Sequence, residues 1–227
     1  MTGRVASVPL APDVEAMPAQ ARDVFAARLP HAIAYVELLA TAGVERGLIG
    51  PRERPRLWTR HVLNSAAAAA ALPAERPLRI VDVGSGAGLP GIPLALACPD
   101  AEVTLLEPLA RRVSFLDEAV AALHLDVEVV RGRAEEVVQP RWDVVVVRAV
   151  APLARLLALT DKLVHAGGML VAIKGRTAEA EISAAAAEIR RRSTGGGEIL
   201  TLGDDVVGAT VVRVTLDRPA SRRRGSR

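Results

Sequence analysis

The chain has 227 residues, a formal net charge of +3 and one cysteine, Cys98. A single cysteine excludes a disulfide framework, and no apolar run is long enough to predict a transmembrane helix. The first residues lack the basic start and apolar block of a signal peptide. We therefore expect one cytoplasmic domain that is monomeric, binds no metal and has no membrane partner.

Arginine carries most of the positive charge, because Lys162 and Lys174 are the only lysines. Abundant arginine indicates either a bias in composition or phosphate recognition by guanidinium forks, and charge alone favours the bias. The C-terminal "SRRRGSR" is either a solvated end or a contact with RNA.

The N-terminal part is predicted to be helical after a disordered start. Residues 1–20 are rich in proline and small side chains without periodicity, so we expect them to be disordered. From Ala21 apolar residues recur at helical spacing, with an expected break at Pro30. A second helix is predicted after Pro55, in "LWTRHVLNSAAAAAAL". Residues 21–76 would form a helical extension or cap.

The rest of the chain alternates strands with helices. Strands such as "LRIVDVG" and "WDVVVVRAV" are apolar on both faces, which is typical of a parallel sheet covered on both sides. "PLARLLALTDKLVHAGG" is predicted to be a helix that ends at its glycines. "GEILTLG" and "ATVVRVTL" follow each other without a helix, so they should be antiparallel. The prediction is one doubly wound α/β domain over residues 21–218, with a basic tail at 219–227.

Four glycines fall within "GSGAGLPG", between the first strand and its helix. Gly84 and Gly86 allow a tight turn with positive φ and let a ligand approach the backbone. In such sheets ligands bind outside the carboxyl ends of the strands. A purely structural turn is the alternative interpretation, and it is disfavoured by Asp82 before the glycines and Glu107 after them.

Two ligand classes fit this loop. Gly86 to Gly91 match the G-x-G-x-x-G pattern of dinucleotide-binding proteins, and Glu107 is at a suitable distance for a ribose-binding acid. The run from Asp82 to Gly88 also matches D-x-G-x-G-x-G, the usual first motif of class I methyltransferases, which bind S-adenosylmethionine. There Asp82 would face the ammonium group, Glu107 would accept the ribose hydroxyls, and "RAEE" would hold the adenine. Glu107 does not discriminate between the two ligands.

Further runs, "RHVLNS", "DVGSGAGLPGIPLA", "LLEPLARRVSFL", "VVRAVAPL" and "IKG", occur in this order over residues 57–181. Together they resemble the bacterial 16S ribosomal RNA guanine-N7 methyltransferase family, also called glucose-inhibited division protein B. The resemblance implies a class I methyltransferase fold that binds S-adenosylmethionine and modifies a guanine of the small ribosomal subunit. It also implies cofactor contacts at five residues: Gly84, Leu89, Ala134, Glu135 and Arg148. Asn64 departs from this family, in which many members carry aspartate.

Methylation at N7 needs positioning rather than a general base, because N7 carries a lone pair and no proton. Arg148 ends a buried strand, where a charge is unexpected. We expect it to hold either the cofactor carboxylate or the guanine O6, with a structural salt bridge as the alternative. We also expect an RNA-facing rim with four members: Arg60, His61, Arg133 and Lys174. An oxidoreductase using the same loop and a non-catalytic binding module remain alternatives.

Overall fold

The protein is represented by a computed structural model that describes residues 13–74, 77–137, 142–148, 151–204 and 206–217. Most of the predicted disordered start and the basic tail lie outside these ranges. The strands are β1 (Arg79–Val83), β2 (Glu102–Glu107), β3 (Val127–Arg131), β4 (Trp142–Arg148), β5 (Val164–Lys174), β6 (Gly197–Gly203) and β7 (Gly208–Thr215). Within the described ranges they form a seven-stranded sheet in the order β3-β2-β1-β4-β5-β7-β6.

The helices differ in regularity. The α-helices are α1 (Gln20–Phe25), α2 (Leu29–Leu38), α3 (Asn64–Ala66), α4 (Gly91–Ala97), α5 (Ala110–Ala122), α6 (Leu153–Leu163) and α7 (Ala178–Arg192). Two segments are π-helical, Leu39–Gly43 and Leu57–Leu63, and four form 3₁₀ turns, Ala26–Arg28, Pro51–Arg56, Ala67–Ala71 and Ala134–Glu136. Among the described residues, no helix is both long and apolar enough to cross a bilayer.

The sheet has the predicted class I methyltransferase architecture. Strands β1 to β5 pair in parallel, whereas β7 runs antiparallel to both β5 and β6. Strand β1 lies between β2 and β4, so the chain reverses its direction of winding there. The carboxyl ends of these three strands therefore meet at the switch point of the sheet, where doubly wound folds bind their ligands.

Apolar side chains alternate between the two faces of the sheet, which gives two cores. One core joins the N-terminal helices, α4 and α5 to residues such as Ile80 and Val146. The other joins α6 and α7 to residues such as Val81 and Val145. We use "cap" for residues 20–71, which cover the first face. Tyr35 and Trp58 of the cap are fully buried, so the cap belongs to the same hydrophobic core as the sheet.

Three local predictions were wrong. Helix α6 ends at Leu163 rather than at the glycines, because Gly167 and Gly168 exchange backbone hydrogen bonds with Leu216 and extend β5. The N-terminal helix breaks at Ala26, where φ is +43°, and not at Pro30. Pro30 lies in the first turn of α2, where its missing N–H costs little. The alanine run forms a 3₁₀ turn instead of a regular α-helix.

Candidate cofactor pocket and its cap

The glycine loop leaves β1 in a conformation that most residues avoid. Gly84 and Gly86 have φ values of +74° and +59°, in the left-handed region where a side chain would be strained. The Gly84 N–H donates to the Leu106 carbonyl at 2.8 Å, which draws the loop across the end of β2. The backbone of the loop is thereby exposed toward the carboxyl edge of the sheet, as predicted.

Two buried carboxylates hold this loop in place. Glu107 Oε2 accepts from the Gly86 N–H and Oε1 from the Leu109 N–H, each at 3.0 Å. Asp82 Oδ2 accepts from the Gly91 N–H at 2.9 Å, at the start of α4. Both acids therefore fix the backbone around the loop through main-chain amides.

Asp82 differs from Glu107 in its access to the pocket. Asp82 is 0% exposed and lies beneath the loop, and its Oδ1 has no hydrogen-bond partner among the described residues. Burial raises the pKa of Asp82 to about 7, and the Gly91 N–H offsets part of this effect. In this structure Asp82 is not in the pocket wall, so its direct contact with an ammonium group is not supported. Its place in the motif is explained by the anchoring of α4.

A cavity of about 660 Å³ opens in front of the loop. Its walls include the loop itself, the end of β2, the end of β4 and two segments of the cap. The lining residues used below are Gly84, Gly86, Leu89, Glu107, His61 and Arg148. This volume lies within the range of small-molecule sites, which is roughly 300 to 1,000 Å³.

A second cavity of about 190 Å³ adjoins the first and shares Gly84 and Pro108 with it. Ala134, Glu135 and Arg133 line this cavity, so the structure brings "RAEE" to the same edge of the sheet as the glycine loop. Ala134 is buried, whereas the Glu135 side chain is exposed and lies 3.3 Å from Arg155. Two adjoining cavities with a glycine wall between them suit an elongated ligand such as S-adenosylmethionine.

Arg148 joins the end of β4 to the cap. Its Nη1 donates to the His61 carbonyl at 3.2 Å and to Ser65 Oγ at 3.1 Å. Its Nη2 donates to the Arg60 carbonyl and to His61 Nδ1, each at 3.0 Å. All four terminal guanidinium hydrogens are thus engaged, and burial lowers the pKa of Arg148. For these terminal nitrogens to hold the cofactor carboxylate or the guanine O6, as expected from the sequence, their bonds to the cap would have to rearrange.

The cap also contacts the loop and the far side of the sheet. Tyr35 donates its hydroxyl to the Ala87 carbonyl at 2.8 Å, and burial raises the pKa of this tyrosine well above its ordinary value. Asn64 donates its side-chain amide to the Gly208 carbonyl at 2.6 Å. An ionised aspartate at position 64 could not donate this bond, so the departure from the family pattern has a local explanation.

The four predicted rim residues fall into different environments. The side chains of Arg60 and Arg133 are exposed, Arg60 on the cap and Arg133 beside the smaller cavity. His61 is largely buried between Arg148 and Glu53. The Lys174 side chain is only 7% exposed and binds Glu181 at 2.8 Å and the Ala151 carbonyl at 2.9 Å. This geometry does not support Lys174 as a residue that faces RNA, because its ammonium group is already paired.

Sequence reasoning missed Glu53, Ser65 and Tyr35. Glu53 and Tyr35 lie in none of the quoted motifs, and Ser65 ends the run "RHVLNS", whose residue types and spacing assign it no chemistry. The π-helical segment Leu57–Leu63 would have been an informative signal, since π-helical turns are frequent at functional sites, but periodicity does not predict it.

Comparisons with known proteins show which family the chain resembles. The family model described as GidB, rRNA small subunit methyltransferase G, matches residues 28–201. "Ribosomal RNA small subunit methyltransferase G" of Streptomyces coelicolor is 53% identical over 90% of this chain and 87% of its own length. The protein of the same name from Corynebacterium jeikeium is 49% identical over 91% of this chain and 94% of its own.

Similar solved structures support the fold. A SAM-dependent O-methyltransferase from Thermotoga maritima has a TM-score of 0.56 and 16% identity, and covers 83% of this chain and 72% of its own. TYW2 of M. jannaschii in complex with AdoMet has a TM-score of 0.52 and 17% identity, covering 71% and 78% respectively. The match to the family favours S-adenosylmethionine over a dinucleotide for the glycine loop and an enzyme over a binding module. The chain belongs to the GidB family, rRNA small subunit methyltransferase G.

Proposed function

We propose that this protein transfers a methyl group from S-adenosylmethionine to N7 of a guanine in the 16S ribosomal RNA of the small subunit. The observation that carries the proposal is the cavity in which the glycine loop, Glu107 and the cap-bound Arg148 meet. Relatives that are about half identical over most of the chain carry the name of a small-subunit rRNA methyltransferase.

The residues present fit the cofactor. Gly84 and Gly86 offer a wall without side chains, Leu89 adds an apolar contact, and Glu107 offers carboxylate lone pairs for ribose hydroxyls beyond those used by two amides. Ala134 and Glu135 line the smaller cavity, which suits an adenine ring. When bound, S-adenosylmethionine supplies an electrophilic methyl group on a sulfonium.

The protein's part in the reaction is positioning and the exclusion of water. N7 carries no proton, so no group has to remove one. His61 Nδ1 accepts a hydrogen bond from Arg148, and Glu107 is occupied with backbone amides, so neither is arranged as a free base. Leu48 and Ile49 of the cap line the cavity opposite the loop and can shield the reacting atoms from solvent.

Within this proposal Arg148 is a positioning residue. It holds the carbonyls of Arg60 and His61, and so it fixes the cap at the mouth of the cavity. Its four terminal N–H groups are all engaged by the cap, so its side chain stays beside the cavity that it lines.

Arg60 and Arg133 are the proposed RNA-facing pair. Arg133 lines the smaller cavity and Arg60 lies on the cap beside His61, and both side chains are exposed guanidinium groups, which bind phosphate well. We further propose that the enzyme works as a monomer in the cytoplasm, where its ribosomal substrate would be found.

The direct test uses small subunits purified from cells that lack the endogenous enzyme. Labelled methyl groups from S-adenosylmethionine should enter 16S RNA, and borohydride–aniline cleavage should then cut the RNA at one new 7-methylguanine. Transfer without such a cut would contradict the N7 assignment. Cofactor binding without any transfer to small-subunit RNA would contradict the substrate.

A further inference from the structure

Glu53 lies at the centre of a group of basic side chains on the cap. Its Oε2 is 2.7 Å from His61 Nε2 and 3.4 Å from Arg60 Nε, and its Oε1 is 2.7 Å from Arg56 Nη2. The Glu53 side chain is 23% exposed and that of His61 is 11% exposed, so their contact is largely shielded from water. Sequence analysis assigned no role to Glu53, and the proposed reaction does not use its carboxylate directly.

The hydrogen bonds on the two sides of His61 define its tautomer. Arg148 Nη2 can only donate, so His61 Nδ1 must accept and cannot carry a proton. The imidazole proton is therefore on Nε2, where it is donated to Glu53. Glu53, an acceptor on both oxygens when ionised, stabilises this tautomer. The result is a chain of contacts from Glu53 through His61 to Arg148, which lines the cofactor cavity.

We propose that Glu53 is a positioning residue for methyl transfer, which holds His61 in the Nε2–H tautomer and thereby keeps Arg148 fixed at the cofactor cavity. The catalytic part of this inference rests on the proposed function, whereas the tautomer is a property of the protein alone. Glu53 touches neither cavity and acts through His61. Its loss should change how the cap is held without removing any cofactor contact.

Protonation of His61 should disrupt the same chain of contacts. The charged groups that face this histidine are Glu53, Arg60 and Arg148. Burial and then Arg148 lower the pKa of His61, while Glu53 opposes them and raises it. An imidazolium would place Nδ1–H against the Arg148 guanidinium, donor against donor. Methyl transfer should therefore fall on the acid side, as the pH drops through the pKa of His61.

The test compares the wild-type protein with Glu53→Gln. Long-range ¹⁵N NMR should show His61 as the Nε2–H tautomer at neutral pH in the wild type. In E53Q the Gln amide can accept or donate, so a share of the Nδ1–H tautomer should appear in molecules in which Arg148 has left His61 Nδ1. We expect kcat for methyl transfer to fall between about tenfold and a hundredfold, the size expected when reacting groups are misplaced from a distance. KM for S-adenosylmethionine should be unchanged. The acid limb of the pH profile of methyl transfer should move to lower pH, because the carboxylate that raises the pKa of His61 is gone.

A double-mutant cycle separates this role from a general structural one. In a His61→Ala background, Glu53→Gln should have no further effect on kcat, since the link that it acts through is already missing. Glu198→Gln is the matched control, because Glu198 also pairs with an arginine, Arg213, but lies on the β6–β7 hairpin. It should leave kcat and the pH profile at their wild-type values.

Several outcomes would overturn the inference. A His61 imidazolium or Nδ1–H tautomer in the folded wild-type protein at neutral pH contradicts the geometry. A folded E53Q protein with the wild-type rate and acid limb contradicts the positioning role. If E53Q does not fold, the tautomer of His61 in the wild-type protein and the pH titration of this histidine still test the inference. Failure of the wild type to methylate small-subunit RNA contradicts the proposed function instead, and leaves the NMR result to judge the tautomer.

Discussion

The glycine loop and the cap are both fixed to strand ends, but through backbone groups of opposite polarity. At the loop, carboxylates at the ends of β1 and β2 accept hydrogen bonds from the backbone N–H groups of Gly86 and Gly91. At the cap, the guanidinium at the end of β4 donates to the carbonyls of Arg60 and His61. The sheet therefore presents acceptors to one wall of the cavity and donors to the other.

The two walls also differ in how far their contacts reach along the chain. Gly91 and Asp82 are 9 positions apart and Gly86 and Glu107 are 21 apart, whereas Arg148 and His61 are 87 apart. The loop is thus built from one motif and the strand beside it. The cap depends on tertiary packing to bring it to its partner at the end of β4. Substitutions on each side should therefore affect the two walls separately.

Substitution Arg148→Ala should release the cap from the end of β4 and leave the glycine loop in place. It removes all donors to the Arg60 and His61 carbonyls from β4, so the cap loses its position over the cavity while the loop keeps its own. We expect methyl transfer to fall by about a hundredfold. Unfolding free energy should fall by about 1–3 kcal/mol for the unpaired buried groups. Single-turnover transfer to small subunits and urea unfolding measure the two effects.

The matched control for this change is Arg192→Ala. Arg192 is also a mostly buried arginine with several partners, Asp161 and Glu188, but it joins α6 to α7. The Arg192→Ala protein should be less stable than the wild type but should keep the wild-type rate of methyl transfer per folded molecule. Full activity of Arg148→Ala would contradict a positioning role for this arginine.

Substitution Gly91→Ala should disturb the loop wall alone. A Cβ there would lie 2.3 Å from Leu105 Cδ2 and 2.9 Å from Asp82 Oδ2, so the buried contact at the start of α4 must move. Overpacking of this kind costs about 1–3 kcal/mol of unfolding free energy, measured by urea denaturation. Gly195→Ala, with no atom within 4 Å of the added Cβ, is the control and should stay within experimental error of the wild type. A wild-type stability for Gly91→Ala would disprove the close approach.

The titration of Asp82 should make the stability of the folded protein depend on pH. Its folded-state pKa is raised to about 7 by burial, above the ordinary value of 3.8, so the folded protein binds the proton more tightly than the unfolded chain. Stability should therefore rise as the pH falls from above 7 toward 4, by at most about 1.4 kcal/mol per pH unit. Asp82→Asn keeps an acceptor for the Gly91 N–H and removes the titration, so its pH dependence should be flatter. An unchanged slope in urea unfolding between pH 4 and 8 would contradict this origin.

Arg60 and Arg133 test whether RNA meets both walls, since Arg60 lies on the cap and Arg133 beside the smaller cavity. Replacing either by glutamine should weaken RNA binding and reduce the slope of log K against log salt by about 0.7–0.9, one phosphate contact each. Arg22→Gln, an exposed arginine on α1, should leave the slope unchanged. An unchanged slope for Arg133 alone would place RNA on the cap side only.

The sheet, the glycine loop and the positions of the two acids beside it could all be predicted from the order of residues. Buried strands appear in the sequence as continuous apolar runs. A motif confined to neighbouring elements predicts its own geometry, as for Gly84 and Glu107. The sequence did not show where α6 ends and β5 begins, because Gly167 joins β5 through a backbone hydrogen bond to Leu216, a residue distant in the chain.

The partners of the charged side chains depend on how the chain packs and could not be predicted from the sequence. Lys174 and Arg148 both end buried strands, yet Lys174 pairs with Glu181 while Arg148 holds the cap. Asp82 fits the ammonium-binding motif, but the packing of α4 turns it toward Gly91. The physical reason is that a hydrophobic pattern fixes which residues are buried, whereas a buried charge takes the partner that folding brings within reach. Glu53 and His61 acquire their relation to the pocket in the same way, because a 3₁₀ turn holds Glu53 beside the π-helical turn of His61, and no sequence period predicts either turn.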